Sequence, residues 1–382
     1  MTISTIEKDE YICKNRYNIF TERYFWFCSS AVLALKFLFI PAYHSTDFEV
    51  HRNWMALTYQ LPLRKWYYEN TSEWTLDYPP FFAYFEFLIS QFASFFIPSA
   101  LVIQQKPFFS YELLLFQRIT VIVSDFLYVG SLQSKKSSAG ACCVLLITNS
   151  TLIMVDNIHF QYNGILTAFF IFSFNFALNG SFLMAAAVYC FLLNMKHIYL
   201  YYSLAYGIFC FTHYLLDFNR FIRRCLCLFF AIIIPFLLSF VIARMFPFQR
   251  GLTHAYWAPN IWAIYNLVDL ILYRLLKYFH FIANIPPPNY TLGLVQEFSH
   301  AILPSISAST SLIIILLLFS PCLLLFMSKR SYNFPLLLTH SAFAFFLAGY
   351  HVHEKAIILI IIPYTILAFL VGIWMYFTKF EL

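Results

Sequence analysis

Long apolar runs, separated by short polar clusters, recur along the whole chain. In windows of roughly 20 residues, the length a helix needs to cross a bilayer, they fall near 24–43, 113–133, 139–156, 160–179, 182–197, 198–216, 225–245, 301–327, 333–350 and 356–377. The pattern predicts an all-α, polytopic transmembrane helical bundle of about ten spans. The run at 182–197 is the shortest and also fits a re-entrant helix. Residues 44–112 read differently. Phe48, Trp54, Met55, Leu57 and Leu61 recur at roughly helical spacing, and Pro62 breaks the series, which predicts an amphipathic helix lying in the membrane interface. Further on, "WTLDYPPFFAYFEF" (74–87) reverses the chain. Tyr78 is held extended before Pro79, and Pro80 opens a new helix.

Composition fixes the class. Apolar residues make up 61% of the chain, charged ones 11%, and the mean hydropathy is +0.70, more apolar surface than a water-soluble domain needs. The solvent partner is therefore the lipid bilayer. A net charge of +6 is read as basic cytoplasmic loops, not as a nucleic-acid surface. Lys8, Lys14, Arg16 and Arg23 precede the first run; Lys135 and Lys136 follow the second; Arg220, Arg223 and Arg224 follow the sixth. Lys329, Arg330 and Lys379 follow the eighth and tenth. All share one side of the membrane, which the positive-inside rule makes cytoplasmic. The chain divides into a cytoplasmic tail 1–23, a transmembrane module 24–245 containing the luminal loop 44–112, a luminal loop 246–300, and a shorter module 301–382.

The opposite side gathers the chemistry. It holds "HSTDFEVHRNW" (44–54), "DNIHFQYNG" (156–164), "MKHIYLY" (195–201), "FPFQRGLTHAYWAPNIW" (246–262) and "HVHEK" (351–355). Polar groups at span ends are costly unless satisfied or functional, and five such clusters on one face point to one site there. For Asp47 and Asp77 the bland alternative is helix capping; for Lys355 it is snorkelling to the interface. Sequons at Asn70 and Asn289 fall in the same loops, consistent with a secretory-pathway lumen. The nine cysteines form no disulfide framework in these loops, and no metal-ligand or nucleotide-binding spacing occurs, so no metal or cofactor is expected.

Taken together, "STDFEVHRNW", "WTLDYPPFFAYFE", "HFQYNG", "KHIYLY", "FPFQRGLTHAYWAPN" and "HVHEKAI" resemble the dolichyl-phosphate-glucose-dependent glucosyltransferases of the endoplasmic reticulum, from about residue 30 to 370. These enzymes extend the lipid-linked oligosaccharide used for N-glycosylation. The wording around "FEVHRNW" and "RGLTHAYWAPN" is most similar to the branch adding the second glucose in α-1,3 linkage. The first-glucose branch has acidic residues after "RG", where this chain has Thr253 and His254.

The resemblance implies a glycosyltransferase C type fold, a luminal active site in a multi-pass endoplasmic reticulum protein, and two lipid substrates. The donor is dolichyl phosphate glucose and the acceptor a dolichyl-diphosphate-linked oligosaccharide. An inverting displacement needs one base, which family matching puts on Asp47, with Glu49 as the second candidate. The substrate-binding set is Glu49, Arg52, Asp77, His159, Gln161, Asn163, His197, Arg250, His353, Glu354 and Lys355. Within it His353, Lys355 and Arg250 face the leaving phosphate, and His159, Gln161 and Asn163 face sugar hydroxyls. Relatives of this kind continue with further spans beyond the "VHEK" region, so the C-terminal module is expected to be shortened. The alternatives are a first-glucose transferase of the same family, a non-catalytic membrane subunit, and a lipid transporter; the polar groups of a transporter would gather near the bilayer midplane in paired repeats.

Overall fold

The computed structural model describes residues 23–133, 140–216, 220–238, 259–282, 285–288, 300–327 and 334–378. Arg250, the sequon at Asn289 and most of the basic residues used for orientation lie outside them. The described chain is helical and contains no strand. In order, helices α1 (23–38), α2 (Asp47–Gln60), α3 (Pro80–Phe96), α4 (Tyr111–Gln133), α5 (Gly140–Ile147) and α6 (Ser150–Met154) are followed by a π turn at Val155–Phe160. Then come α7 (Asn163–Leu178), α8 (Phe182–Met195), a 3-10 turn at His197–Tyr202, α9 (Ser203–Cys210) and α10 (Phe221–Leu237). The rest are α11 (Ile261–Tyr278), α12 (Ala308–Met327), α13 (Phe334–Ala348) and α14 (Ile358–Thr378).

Among the described residues, three stretches are long and apolar enough to cross a membrane, Tyr111–Leu132, Cys142–Phe160 and Glu354–Val371, and shorter apolar helices accompany them. Side-chain distribution agrees with a lipid solvent. Leu38, Phe95, Phe96, Leu317 and Leu324 are exposed, while Gln117, Arg118, Asp125, Asp156, Asn194 and Ser341 are buried. Water would favour the reverse arrangement.

Two compact units divide the chain, one formed by residues 1–197 and 217–245, the other by 198–216 and 246–382. In the first, α7 lies between α4 and α8, α10 packs on α8, and α2 packs on α3. An ion pair at 2.6 Å joins Lys36 of α1 to Asp125 of α4, both nearly buried. In the second, α13 is the hub against which α9, α11, α12 and α14 pack.

Several local expectations hold for the expected reason. Pro79 is extended (φ −60°, ψ 161°) and α3 starts at Pro80, where a missing N–H costs nothing. Helix α2 stops before Pro62. Other expectations need correction. Helix α2 is no interfacial helix with a solvated face: residues 51 to 58 are buried without interruption, because α3 and the turn Pro98–Leu101 cover it. The stretch 246–300 is no plain loop, since it contains α11. That helix turns Trp262, Asn266, Asp269 and Tyr273 inward and leaves Ile264, Leu267 and Ile271 exposed. The stretch expected as one span at 198–216 is a 3-10 turn, two turns of α-helix and a π turn.

Candidate active site

The site is built on the entrance to α2. Thr46 is the N-cap residue and makes no side-chain capping bond, so Asp47 occupies the first helical position and not the cap. The turn ahead of it is anchored twice: Ser45 donates from its backbone N–H (2.9 Å) and from Oγ (2.6 Å) to the carbonyl of His159. Ser45 Oγ in turn accepts the Asp47 N–H at 3.2 Å. From α4, buried Arg118 donates to the carbonyls of Asn157 (2.6 Å) and Ile158 (3.1 Å), and to those of Ala42 and Tyr43. One guanidinium thus clamps the π turn to the chain that delivers Asp47. A π turn frees carbonyls that an α-helix would use, which is why such turns recur at functional sites.

Phe160 closes that turn in the left-handed region, at φ 83°. For a bulky residue this is a strained conformation. It is held by packing: Phe160 is fully buried, with Phe48, His51 and Tyr162 around its ring at 5.3 to 5.6 Å. Directly after Phe160, Gln161 returns to α2 and Asn163 opens α7.

Gln161 Nε2 donates to Asp47 Oδ2 at 2.8 Å. Asn163 Nδ2 donates to Gln161 Oε1 and to Asp156 Oδ1, each at 2.8 Å. Gly164 N–H donates to Asp156 Oδ2 at 2.6 Å. Lys196 Nζ donates to Asn163 Oδ1 at 3.0 Å and lies 5.1 Å from the centre of the Tyr78 ring. Four sequence clusters therefore meet: the "STD" turn, the "HFQYNG" turn, the end of α8, and the "DYPP" turn. Gly164 is required here. A Cβ on it would come within 2.0 Å of Asp125 Oδ1.

Two neighbours are occupied elsewhere. Glu49 accepts from Arg52 Nε at 3.0 Å through both oxygens, from Nη2 at 2.6 Å, and from the Phe108 N–H at 3.1 Å. Arg52 also donates to the carbonyls of Ala100 and Val102. Both side chains are buried. These bonds tie α2 to residues 98–108, because a buried charge must keep its partner. His51 is likewise consumed in a 2.6 Å bond to Glu86, deep in an aromatic box with Trp54, Phe82, Phe160 and Tyr162. Burial pushes the Glu86 carboxyl up, and His51 opposes the shift.

Asp77 sits half-buried in the strap ahead of α3. It does not cap that helix, whose N-cap is Pro79. Asn53 and Trp54 of α2 donate to the carbonyls of Trp74 and Thr75 at 3.0 and 3.1 Å, which fixes the strap on α2. His159 contributes its carbonyl to the Ser45 anchor, and His197 begins the turn after Lys196.

His353, Glu354 and Lys355 belong to the second unit. His351 is left-handed (φ 59°), and His353 Nδ1 accepts the Lys355 N–H at 3.1 Å. A nitrogen that accepts cannot donate, so the 3.3 Å approach of Glu354 to that same atom is not an ion pair while it does so. In the same unit, Trp262 Nε1 donates to the carbonyl of Gly349 at 2.9 Å, bringing the start of α11 to the residues just before "HVHEK". Asp269 accepts the N–H groups of Ala301, Ile302 and Leu303 at 2.7 to 2.9 Å.

Asp156 and Lys196 were missed as site residues. Each lies inside a cluster already singled out, and a cation at the polar end of an apolar helix was the available signal.

A lipid-facing helical bundle that orients one carboxylate through amides and a cation defines an integral membrane protein with a polar centre, the setting of a membrane transferase. Residues 32–380 match the model of the ALG6, ALG8 glycosyltransferase family, and the chain belongs to that family. It is 45% identical over 381 residues to the dolichyl pyrophosphate Glc1Man9GlcNAc2 alpha-1,3-glucosyltransferase of Caenorhabditis elegans, covering 89% of this chain and 49% of that protein. To the probable enzyme of the same name in Drosophila melanogaster it is 40% identical over 393 residues (94% and 76%). The Mus musculus protein of that name is 40% identical over 391 residues (90% and 73%). The chain thus spans about half the length of the first relative and about three quarters of the other two.

Proposed function

We propose that this protein transfers glucose from dolichyl phosphate glucose to a monoglucosylated, dolichyl-diphosphate-linked oligosaccharide, forming an α-1,3 bond. The observation that carries the mechanism is the 2.8 Å bond from Gln161 Nε2 to Asp47 Oδ2, which sets the plane of a carboxylate at the mouth of α2. The acceptor's 3-hydroxyl oxygen bonds to C1 of glucose while the C1–O bond to phosphate breaks, its electron pair leaving with dolichyl phosphate. The hydroxyl proton passes to Asp47. One displacement turns the β-linked donor into an α-linked product, and one base suffices.

The leaving phosphate gains charge and needs cationic donors. His353, Lys355 and Arg250 are the proposed group, and Glu354 is proposed to belong to the substrate-binding set. His159, Gln161 and Asn163 are proposed to meet sugar hydroxyls, and Asp77 and His197 to belong to the same substrate-binding set. No metal is assigned a role; the presence of a positioned base and several candidate cations supports that reading. The chain is placed in the endoplasmic reticulum membrane as a multi-pass protein of about ten spans, with 44–112 and 246–300 luminal. Asn70 is exposed, as a glycan acceptor must be.

Purified protein supplied with dolichyl phosphate glucose and either the nonglucosylated or the monoglucosylated acceptor tests the reading. Extension of the monoglucosylated acceptor is expected. Extension of the nonglucosylated one alone reassigns the chain to the first-glucose reaction, and extension of neither refutes the transferase reading. Modification of loop 44–112 from the cytoplasmic side would overturn the orientation.

A further inference from the structure

We propose that Lys196 is a positioning residue for the transfer, acting on Asp47 through a one-directional relay of two side-chain amides. The proposal rests on the reading of Asp47 as the base. Each link runs donor to acceptor in one sense: Lys196 Nζ to Asn163 Oδ1 (3.0 Å), Asn163 Nδ2 to Gln161 Oε1 (2.8 Å), Gln161 Nε2 to Asp47 Oδ2 (2.8 Å). The sense is forced by chemistry. An ammonium only donates and a carboxylate only accepts, so neither amide can be flipped without breaking both of its bonds. Asp156 enforces the same orientation, because it takes the second proton of Asn163 Nδ2.

Such a chain is cooperative: a donor whose acceptor end is polarised by a cation becomes a stronger donor at its other end. Lys196 sits where a cation is favoured. It follows the last residue of α8 in extended conformation (φ −152°, ψ 113°), with its N–H still bonded to the Leu192 carbonyl, at the negative end of the helix. The face of Tyr78 lies over its ammonium. Asn163 and Gln161 are buried, so water does not compete for the middle of the relay. Lys196 therefore strengthens the bond that holds Oδ2 and favours ionised Asp47 in the orientation needed to receive the proton. Charged groups near the relay include Asp156 at Asn163 and, beyond Gly164, Asp125 with its partner Lys36.

The test is the pH profile of kcat/KM for transfer from dolichyl phosphate glucose to the monoglucosylated acceptor. In Lys196→Met the acid limb is expected to move to higher pH by about half a unit or more, the size of a weakened charge-assisted hydrogen bond. Lys196→Arg should restore the limb. Gln161→Leu removes the last link, so it should shift the limb in the same direction, and adding Lys196→Met should shift it no further. A fall in activity at every pH with an unmoved limb in Lys196→Met and Gln161→Leu overturns the relay. Should Lys196→Met fail to accumulate, Gln161→Leu decides alone. Asp47→Asn, run in parallel, separates the two readings: an inactive Asp47→Asn with unmoved limbs removes only the relay, whereas an active one removes the base assignment as well.

Discussion

Gln161 and Asp47 stand 114 positions apart in the chain, and a single 2.8 Å hydrogen bond from Nε2 to Oδ2 joins them. Everything around that bond is rigid: Ser45 is pinned to the His159 carbonyl, Arg118 clamps the π turn, and Phe160 is locked in a left-handed conformation. A carboxylate already aimed, as the proposed base is here, loses no orientation entropy when an acceptor arrives.

Replacement of Asp47 by Asn is expected to leave folding intact, because the amide oxygen still accepts the Gln161 bond. Transfer should fall by about a hundredfold or more, the lower range for removing acid–base catalysis. Transfer assays on purified protein matched for accumulation measure it. Near wild-type turnover would return the role of base to another carboxylate.

Glu49→Gln should behave in the opposite manner. It leaves the Arg52 guanidinium buried without its counter-charge, which costs on the order of 3–5 kcal/mol. The protein is expected to accumulate poorly and to show a lower thermal midpoint in detergent. Its folded fraction should retain specific activity. A selective loss of activity at normal stability would make the pair part of the substrate site.

At Gly164 the added methyl of Gly164→Ala meets Asp125 Oδ1 at 2.0 Å. Asp125 cannot yield freely, since Lys36 holds its other oxygen at 2.6 Å. Overpacking of this kind costs about 1–3 kcal/mol, and the displaced Asn163 loosens Gln161. Both thermal midpoint and transfer rate should drop, and an unchanged midpoint would show that Asp125 moves aside cheaply.

Acid stability of the second unit should depend on Asp269. Burial pushes its carboxyl up, but three backbone N–H bonds and nearby His300 outweigh that, and the net direction is down. A lowered folded value means stabilisation that is present above the ordinary carboxylate range and is lost as pH falls through the folded value. Asp269→Asn should therefore be less stable than wild type near neutrality, and the gap should narrow below about pH 4. Thermal midpoints of both proteins across that range test the sign; a gap that stays constant or widens on acidification contradicts it.

What the sequence determined by itself was local. The helical, membrane-spanning class follows from runs of apolar residues, and the turn at Tyr78–Pro80 and the end of α2 follow from prolines, because each depends on neighbours a few positions away. The i, i+3 spacing of Glu49 and Arg52 already marks a same-face pair. Helix α11, inside a stretch expected as a loop, turns Asn266, Asp269 and Tyr273 inward and leaves Ile264, Leu267 and Ile271 exposed. Tertiary structure alone decided which acids and bases meet. Periodicity says which side of a helix a residue occupies and not what lies opposite, so Lys196 and Asp156 joined Asp47 only when α8 and the π turn were packed around α7. The polar clusters looked alike in one dimension. Packing sorted them into a buried Glu49–Arg52 anchor and an Asp47 relay, because a charge taken out of water must find its partner in three dimensions.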